Sequence, residues 1–299
     1  MLSKFYIDKA KSELREDETR KSQSLAQFRE WISKHPFLSE ARKDESYLLQ
    51  FLRSRKYNMD EAFQLFERIY LSRKRYPKFF DIDQEVVEKA YDLYEAGYCY
   101  PLSGRTKDGQ RVVLIQTKKL DTEKFTIFDG SRLLCFVIQA LLEEEETQIA
   151  GIILVFDHSG ANIKHLMLPM DFRDFMDLSL KCSMYRQKGF YILNIPTFGQ
   201  ILFDIFKSVL SEKLRNRIHT LKPDDLKNHI DPEMLPVEYG GVKNEEEMKE
   251  EFKKVRDEKK EIWDHLLHFE VDWSKVPKEK IWSNSEEETV GSFRKLEID

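Results

Sequence analysis

The stretch GIILVFDHSG, residues 151–160, decides the fold. Its apolar run from Gly151 to Phe156 has no polar face, so it predicts a strand covered on both sides, as in a parallel sheet. The Asp157-x-x-Gly160 turn that follows ends the strand. Working outward, Val112 to Ile115 and Phe190 to Leu193 carry the same dense apolar code, and the helical stretches Ser131 to Leu142 and Pro169 to Tyr185 lie between these runs. Strands alternating with helices predict βαβ units and an α/β fold with a mostly parallel sheet. The turn residues around Ser103-Gly104 and Lys107 to Gln110 introduce the first strand.

Upstream, from Leu2 to about Phe80, apolar residues recur at helical spacing, as in Leu25, Phe28, Trp31 and Ile32 before His35-Pro36. Two short helices follow, joined near Lys56-Tyr57-Asn58, with Asn58 or Asp60 as a cap for the second. Beyond Gly240-Gly241 the chain is charged again and predicts an outer helix to about Phe269 with a partly ordered tail. This divides the chain into a helical domain at 1–90, a sheet domain at 91–241, and a C-terminal helix and charged tail at 242–299.

Composition narrows the function. The formal net charge of -5 argues against a general affinity for nucleic acid. Cys99, Cys135 and Cys182 form no C-x-x-C pair, so neither a zinc site nor a disulfide framework is indicated, and Cys135 and Cys182 read as buried apolar side chains. The first residues lack the apolar core of a secretory signal, and no stretch approaches the ~18 apolar residues of a spanning helix. A cytoplasmic protein with peripheral membrane contact is expected. Asp157-His158-Ser159 cannot form a catalytic relay from three consecutive positions. His265 and His268 have no partners at metal-ligand spacing, and the acid runs at 143–146, 245–247 and 286–288 read as solvated surface. No phosphate-binding glycine loop is present. The expectation is no enzyme, no catalytic residue, no metal and no cofactor beyond a bound lipid.

Two features favour binding. FGQILFDIFKSVL, residues 198–210, wound as a helix carries two apolar ridges: Phe198, Leu202, Ile205 and Val209 on one, Phe203, Phe206 and Leu210 on the next. An ordinary surface helix needs one such stripe, so this helix either lies in the core or has two apolar partners. Between Arg186 and Lys222 there are seven basic residues against two acids, in a chain that is acidic overall. That asymmetry fits an anionic partner or a solvated basic edge.

Four segments, in order, resemble the CRAL-TRIO lipid-binding family: SYLLQFLRSRKYNMDEAFQLFERIYLSRKRYP at 46–77, GIILVFDHSG at 151–160, GFYILNIP at 189–196 and LPVEYGG at 235–241. The resemblance spans roughly Leu25 to Gly241. KLRNRIH at 213–219 is similar to the animal branch that includes tocopherol transfer protein and cellular retinaldehyde-binding protein. It implies a small helical domain before a sheet domain whose cavity is closed by a mobile gate helix. It also implies an intracellular transfer protein, a monomer, whose partners are one hydrophobic small molecule (a tocopherol, retinoid or carotenoid), phosphatidylinositol bisphosphate and a transient membrane surface. A phosphoinositide-sensing adaptor in membrane trafficking is the alternative. By resemblance the hydrophobic ligand faces Leu134, Ile138, Phe175, Leu178, Phe203, Phe206 and Leu210, each of which fits simple core packing as well. Phosphoinositide phosphates fall to Arg55, Arg186, Lys188, Lys213 and Arg217. The ridge at Phe198, Leu202, Ile205 and Val209 faces the membrane.

Overall fold

The structure, a computed structural model, describes residues 2–165, 169–258 and 270–281, and at 169, 170, 202, 206, 209, 255, 256 and 258 the backbone alone. His265, His268 and the acids at 286–288 lie outside the described residues.

Capping side chains set the helices of the N-terminal third. Helix α1 (Lys4–Lys9) widens into π geometry over Ala10–Leu14 and stops at Arg15, whose φ of 58° is left-handed. Asp17 accepts from the Arg20 amide and opens α2 (Glu18–Lys34); Asp44 accepts from Tyr47 and opens α3 (Glu45–Ser54). Asn58 accepts from Glu61 and opens α4 (Met59–Arg75). Each such cap contributes about 1 kcal/mol. Between α3 and α4, Lys56 and Tyr57 both take positive φ and turn the chain. The apolar faces of α2, α3 and α4 meet around Phe28, whose ring packs edge-on against Phe51, Phe63 and Phe66. Val276 and Ile281, from the segment 270–281, join this same core. That part of the C-terminal region, expected as an outer helix and loose tail, is therefore anchored through apolar burial on the helical domain.

After α5 (Pro77–Phe80), helix α6 (Gln84–Glu95) crosses position 90 and sends Val87, Ala90, Leu93 and Tyr94 into the core of the sheet. The sheet has five strands in sequential order: β1 (Cys99–Pro101), β2 (Arg111–Gln116), β3 (Ile152–Asp157), β4 (Gln187–Leu193) and β5 (Ile218–Leu221). Only β1 runs antiparallel; β2 to β5 are parallel, with Val113 beside Leu154, Leu154 beside Phe190 and Phe190 beside Ile218. The crossovers carry α7 (Ile127–Leu141) and α8 (Glu145–Ala150), then α9 (Pro169–Lys181), then α10 (Thr197–Val209) and α11 (Glu212–Arg215). Helix α12 (Glu245–Glu258) returns to cover β1, burying Met248 and Phe252.

The sequence segments around 157, 194 and 239 converge on one buried carboxylate. Asp157 accepts from Asn194 Nδ2 at 2.8 Å, Tyr239 Oη at 2.7 Å and the Ser159 amide at 2.9 Å. Burial would raise its pKa, but these bonds from Asn194, Tyr239 and Ser159 hold it below the ordinary value. They also fix Asn194 in a left-handed conformation, φ 54°. A Cβ on Gly241 would stand 2.1 Å from the Leu235 carbonyl oxygen, so only glycine permits that close approach. Asp157 and Ser159 thus form a structural knot: the Ser159 hydroxyl donates to Asp157, while the His158 ring bonds Thr117 instead.

Candidate functional site

Side chains on inner strands of a covered sheet are shielded laterally by their neighbours, so surface they retain must open along the sheet face. Phe156 on β3 and Phe190 on β4 are only half-buried, although both pack against two separate cores, that of the sheet and that of α9 to α11. Their register partners Leu154 and Ile192 on the same face are buried. The two cores therefore leave part of Phe156 and Phe190 uncovered.

The expected lining residues lie on or just past three helices. Helix α7 is started by a reciprocal capping pair, Thr126 and Asp129, and buries Leu133, Phe136, Val137 and Ala140 in the sheet core. Leu134 and Ile138 pack against the same core but are only half-buried. Cys135 between them is exposed, in contrast to the buried position expected for it, yet desolvation pushes its thiol pKa up to about 11. On α9, Met176 and Leu180 are buried while Phe172, Phe175 and Leu178 are half-buried. Phe175 also faces Phe79, ring centroids 6.4 Å apart. On α10, Phe203 is half-buried against the same core, and Leu210, just past its end, is 5% exposed and packs with Leu214 and Ile218. The side chain of Phe206 lies outside the described residues. Phe156 and Phe190 were missed from sequence because a dense apolar strand gives no sign of which face is incompletely covered, and Phe172 because a small shift in helix phase exchanges neighbours on α9.

The outer face of α10 is open. Phe198, Ile201 and Ile205 are 41%, 70% and 57% exposed, spaced i, i+3, i+7 along one side. Phe198 and Ile205 belong to the expected outer ridge; Ile201 was not assigned to either ridge. The side chains of Leu202 and Val209 lie outside the described residues.

Four of the five expected basic residues gather at the chain entering β4. Arg55 Nη2 donates to the Ser183 carbonyl at 3.3 Å and Arg217 Nη1 to the Gln187 carbonyl at 2.7 Å. Arg186 and Lys188 lie in that same segment and both bind the Glu13 carboxylate, at 2.7 and 3.0 Å. Lys213 is half-buried on α11, one turn of chain before Arg217. Burial and the neighbouring Arg186 lower the pKa of Lys188 against the pull of Glu13, as expected where cations crowd. Partial burial would raise the pKa of Glu13, but hydrogen bonds from Lys9, Arg186 and Lys188 outweigh it and hold the carboxyl at about 2.

Arg53, two residues before Arg55, has a different task. It is 0% exposed and donates to Glu16, Gln148 and Glu145 at 2.6 to 2.9 Å, tying α3 to α8. Among the described residues there is no cluster of three side chains suited to a metal ion, and no helix is long and apolar enough to cross a membrane.

A mostly parallel sheet thus carries partly uncovered phenylalanines on two inner strands, with a helix whose apolar side is open and a cluster of cations at the chain entering β4. Residues 95–241 match the CRAL/TRIO domain. It is similar to clavesin-2 of Homo sapiens, 26% identical over 249 residues that cover 81% of this chain and 75% of that protein. To alpha-tocopherol transfer protein-like of Mus musculus it is 27% identical over 82% of this chain and 72% of the other. To clavesin-1 of Xenopus laevis it is 29% identical over 79% and 72%.

Proposed function

We propose that the chain carries one hydrophobic molecule of the tocopherol, retinoid or carotenoid kind in an apolar recess over Phe156 and Phe190 and exchanges it at membranes bearing phosphoinositide. The observation that carries this reading is the half-buried aromatic pair Phe156 and Phe190, left uncovered where a simple core would have closed. Each methylene of the cargo gains about 0.8 kcal/mol on leaving water, so an apolar recess with aromatic walls suffices for tight binding without a polar anchor. Helix α10 closes one side of the recess with Phe203 and offers Phe198, Ile201 and Ile205 to lipid tails, so docking on a bilayer compensates for moving the helix away. The cations at Arg55, Arg186, Lys188, Lys213 and Arg217 suit a phosphorylated headgroup, which supports the phosphoinositide part of this reading.

The test is transfer of a fluorescent tocopherol analogue between vesicles, with and without phosphatidylinositol bisphosphate in the acceptor. Transfer is expected to accelerate with the phosphoinositide, and absence of transfer under both conditions rejects the carrier. Changing Lys213 and Arg217 together to alanine should slow phosphoinositide-dependent transfer about tenfold or more, since each cation near an anionic surface contributes ~1 kcal/mol, while ligand titration stays near wild type. Equal loss of both in a folded protein contradicts the division of labour. Changing Phe198 and Ile201 to serine removes two apolar side chains worth about 1.5 to 3 kcal/mol each on burial, so vesicle co-sedimentation should fall at least about tenfold. Unchanged partitioning rejects α10 as the membrane-facing element.

A further inference from the structure

The cation cluster at the chain entering β4 is already filled by the chain itself. Glu13 sits within 3.0 Å of three cations, Lys9 at 2.8 Å, Arg186 at 2.7 Å and Lys188 at 3.0 Å. Arg186 and Lys188 are two of the residues to which a headgroup phosphate is assigned above, so Glu13 and a phosphate compete for the same donors. We infer that Glu13 is the resting occupant of this anion site and that Lys4–Leu14 is a latch displaced by a phosphorylated headgroup. The inference rests on the phosphoinositide reading and adds its regulation.

The attachment of the segment suits displacement. Its apolar contact is a small cluster of its own, Ala10 and Leu14 on Ile149 with Leu2 and Tyr6 at the edge, separate from the larger cores. Phe5 and Ile7 on the remaining faces are 47% and 52% exposed. Glu13 lies in the widened π turn, a geometry that accommodates an extra residue and recurs at functional positions. Helix α2 has its own cap at Asp17 and so does not depend on α1 for its start. The segment can leave without unwinding the helical domain.

Charge sets the class of ligand that dislodges it. A carboxylate brings one negative charge, whereas a phosphomonoester carries about -1.5 to -2 and three acceptor oxygens, which Arg186 and Lys188 can share once Lys9 has left with the segment. A phosphodiester, with one charge, has no such advantage over Glu13. The latch therefore makes the site selective for monoester phosphates, as on polyphosphorylated inositol, over ordinary anionic lipids.

Calorimetry of the full chain with inositol trisphosphate, the soluble headgroup, compares wild type with Glu13→Gln and Glu13→Ala. Both variants are expected to bind at least about fivefold more tightly, the lower range of site-to-site coupling. Hydrogen exchange of residues 4–14 in wild type should speed up when the headgroup is added. If wild type binds with dependence on Arg186 and Lys188 but neither variant binds more tightly, the latch is overturned and the site stands. If neither wild type nor the variants bind, the phosphoinositide reading falls and the latch with it. Should both variants fail to fold, unchanged exchange at 4–14 in headgroup-saturated wild type overturns the latch.

Discussion

Cys135→Trp is expected to leave the fold intact and to weaken binding of a hydrophobic ligand about 100-fold or more. Cys135 has accessible surface although its thiol is desolvated, and it stands between the half-buried Leu134 and Ile138 on α7. If that surface opens into a recess, an indole enters space the ligand would use and meets few atoms of the protein. The volume taken is that of several methylenes, each contributing about 0.8 kcal/mol to the ligand, which gives the expected loss. If α7 instead packs against a filled core, the same substitution overpacks it and destabilises the protein by about 1 to 3 kcal/mol. Thermal unfolding and fluorescence titration with a tocopherol analogue separate the two cases: an unchanged melt with lost binding supports the recess, and a lowered melt with retained binding refutes it.

Arg53→Met is expected to destabilise the protein by about 3 to 5 kcal/mol, the usual consequence of removing one partner from a buried ion pair. The guanidinium is wholly buried and holds Glu16 by two bonds, 2.9 and 2.6 Å. The Glu16 side chain is 9% exposed and would lose its partner, while Glu145, at 40%, can turn to water. Gln148, also buried, would lose the donor to its Oε1. Methionine preserves the packing of the stem, so the measured loss reports the polar network. Urea unfolding should show a lower midpoint; a change below about 1 kcal/mol would mean that the network is not coupled to folding.

These two residues mark where sequence reasoning stopped. In FLRSRKY both arginines look alike, and the resemblance directed attention to Arg55, but burial of Arg53 depends on Glu16, Glu145 and Gln148 arriving from distant parts of the chain. The parallel sheet was legible because the covered middles of the strands are uninterruptedly apolar, as Val112 to Ile115 and Ile152 to Phe156 show, with the buried polar residues Gln116, Asp157 and Gln187 confined to strand ends. The edge strands β1 and β5 were not: Cys99–Pro101 is three residues long, and β5 includes polar His219 and Thr220, exposure that an edge tolerates. Helical spacing of residues 198–210 gave the helix, and the open side of α10 includes Phe198 and Ile205. Ile201 was passed over because a one-position change in phase redistributes neighbours between faces. Arg186 and Lys188 could be marked as basic from sequence alone. That Glu13, 173 and 175 residues earlier, binds both of them could not, since ion pairing across such a separation is a product of the fold.

The recess is the centre of this account, and native mass spectrometry of the full chain after incubation with a mixed lipid extract tests it most directly. One apolar molecule per chain, retained through gel filtration and absent from the Cys135→Trp variant, is the predicted result. A spectrum showing only the bare polypeptide, from protein whose melt confirms that it is folded, would contradict it.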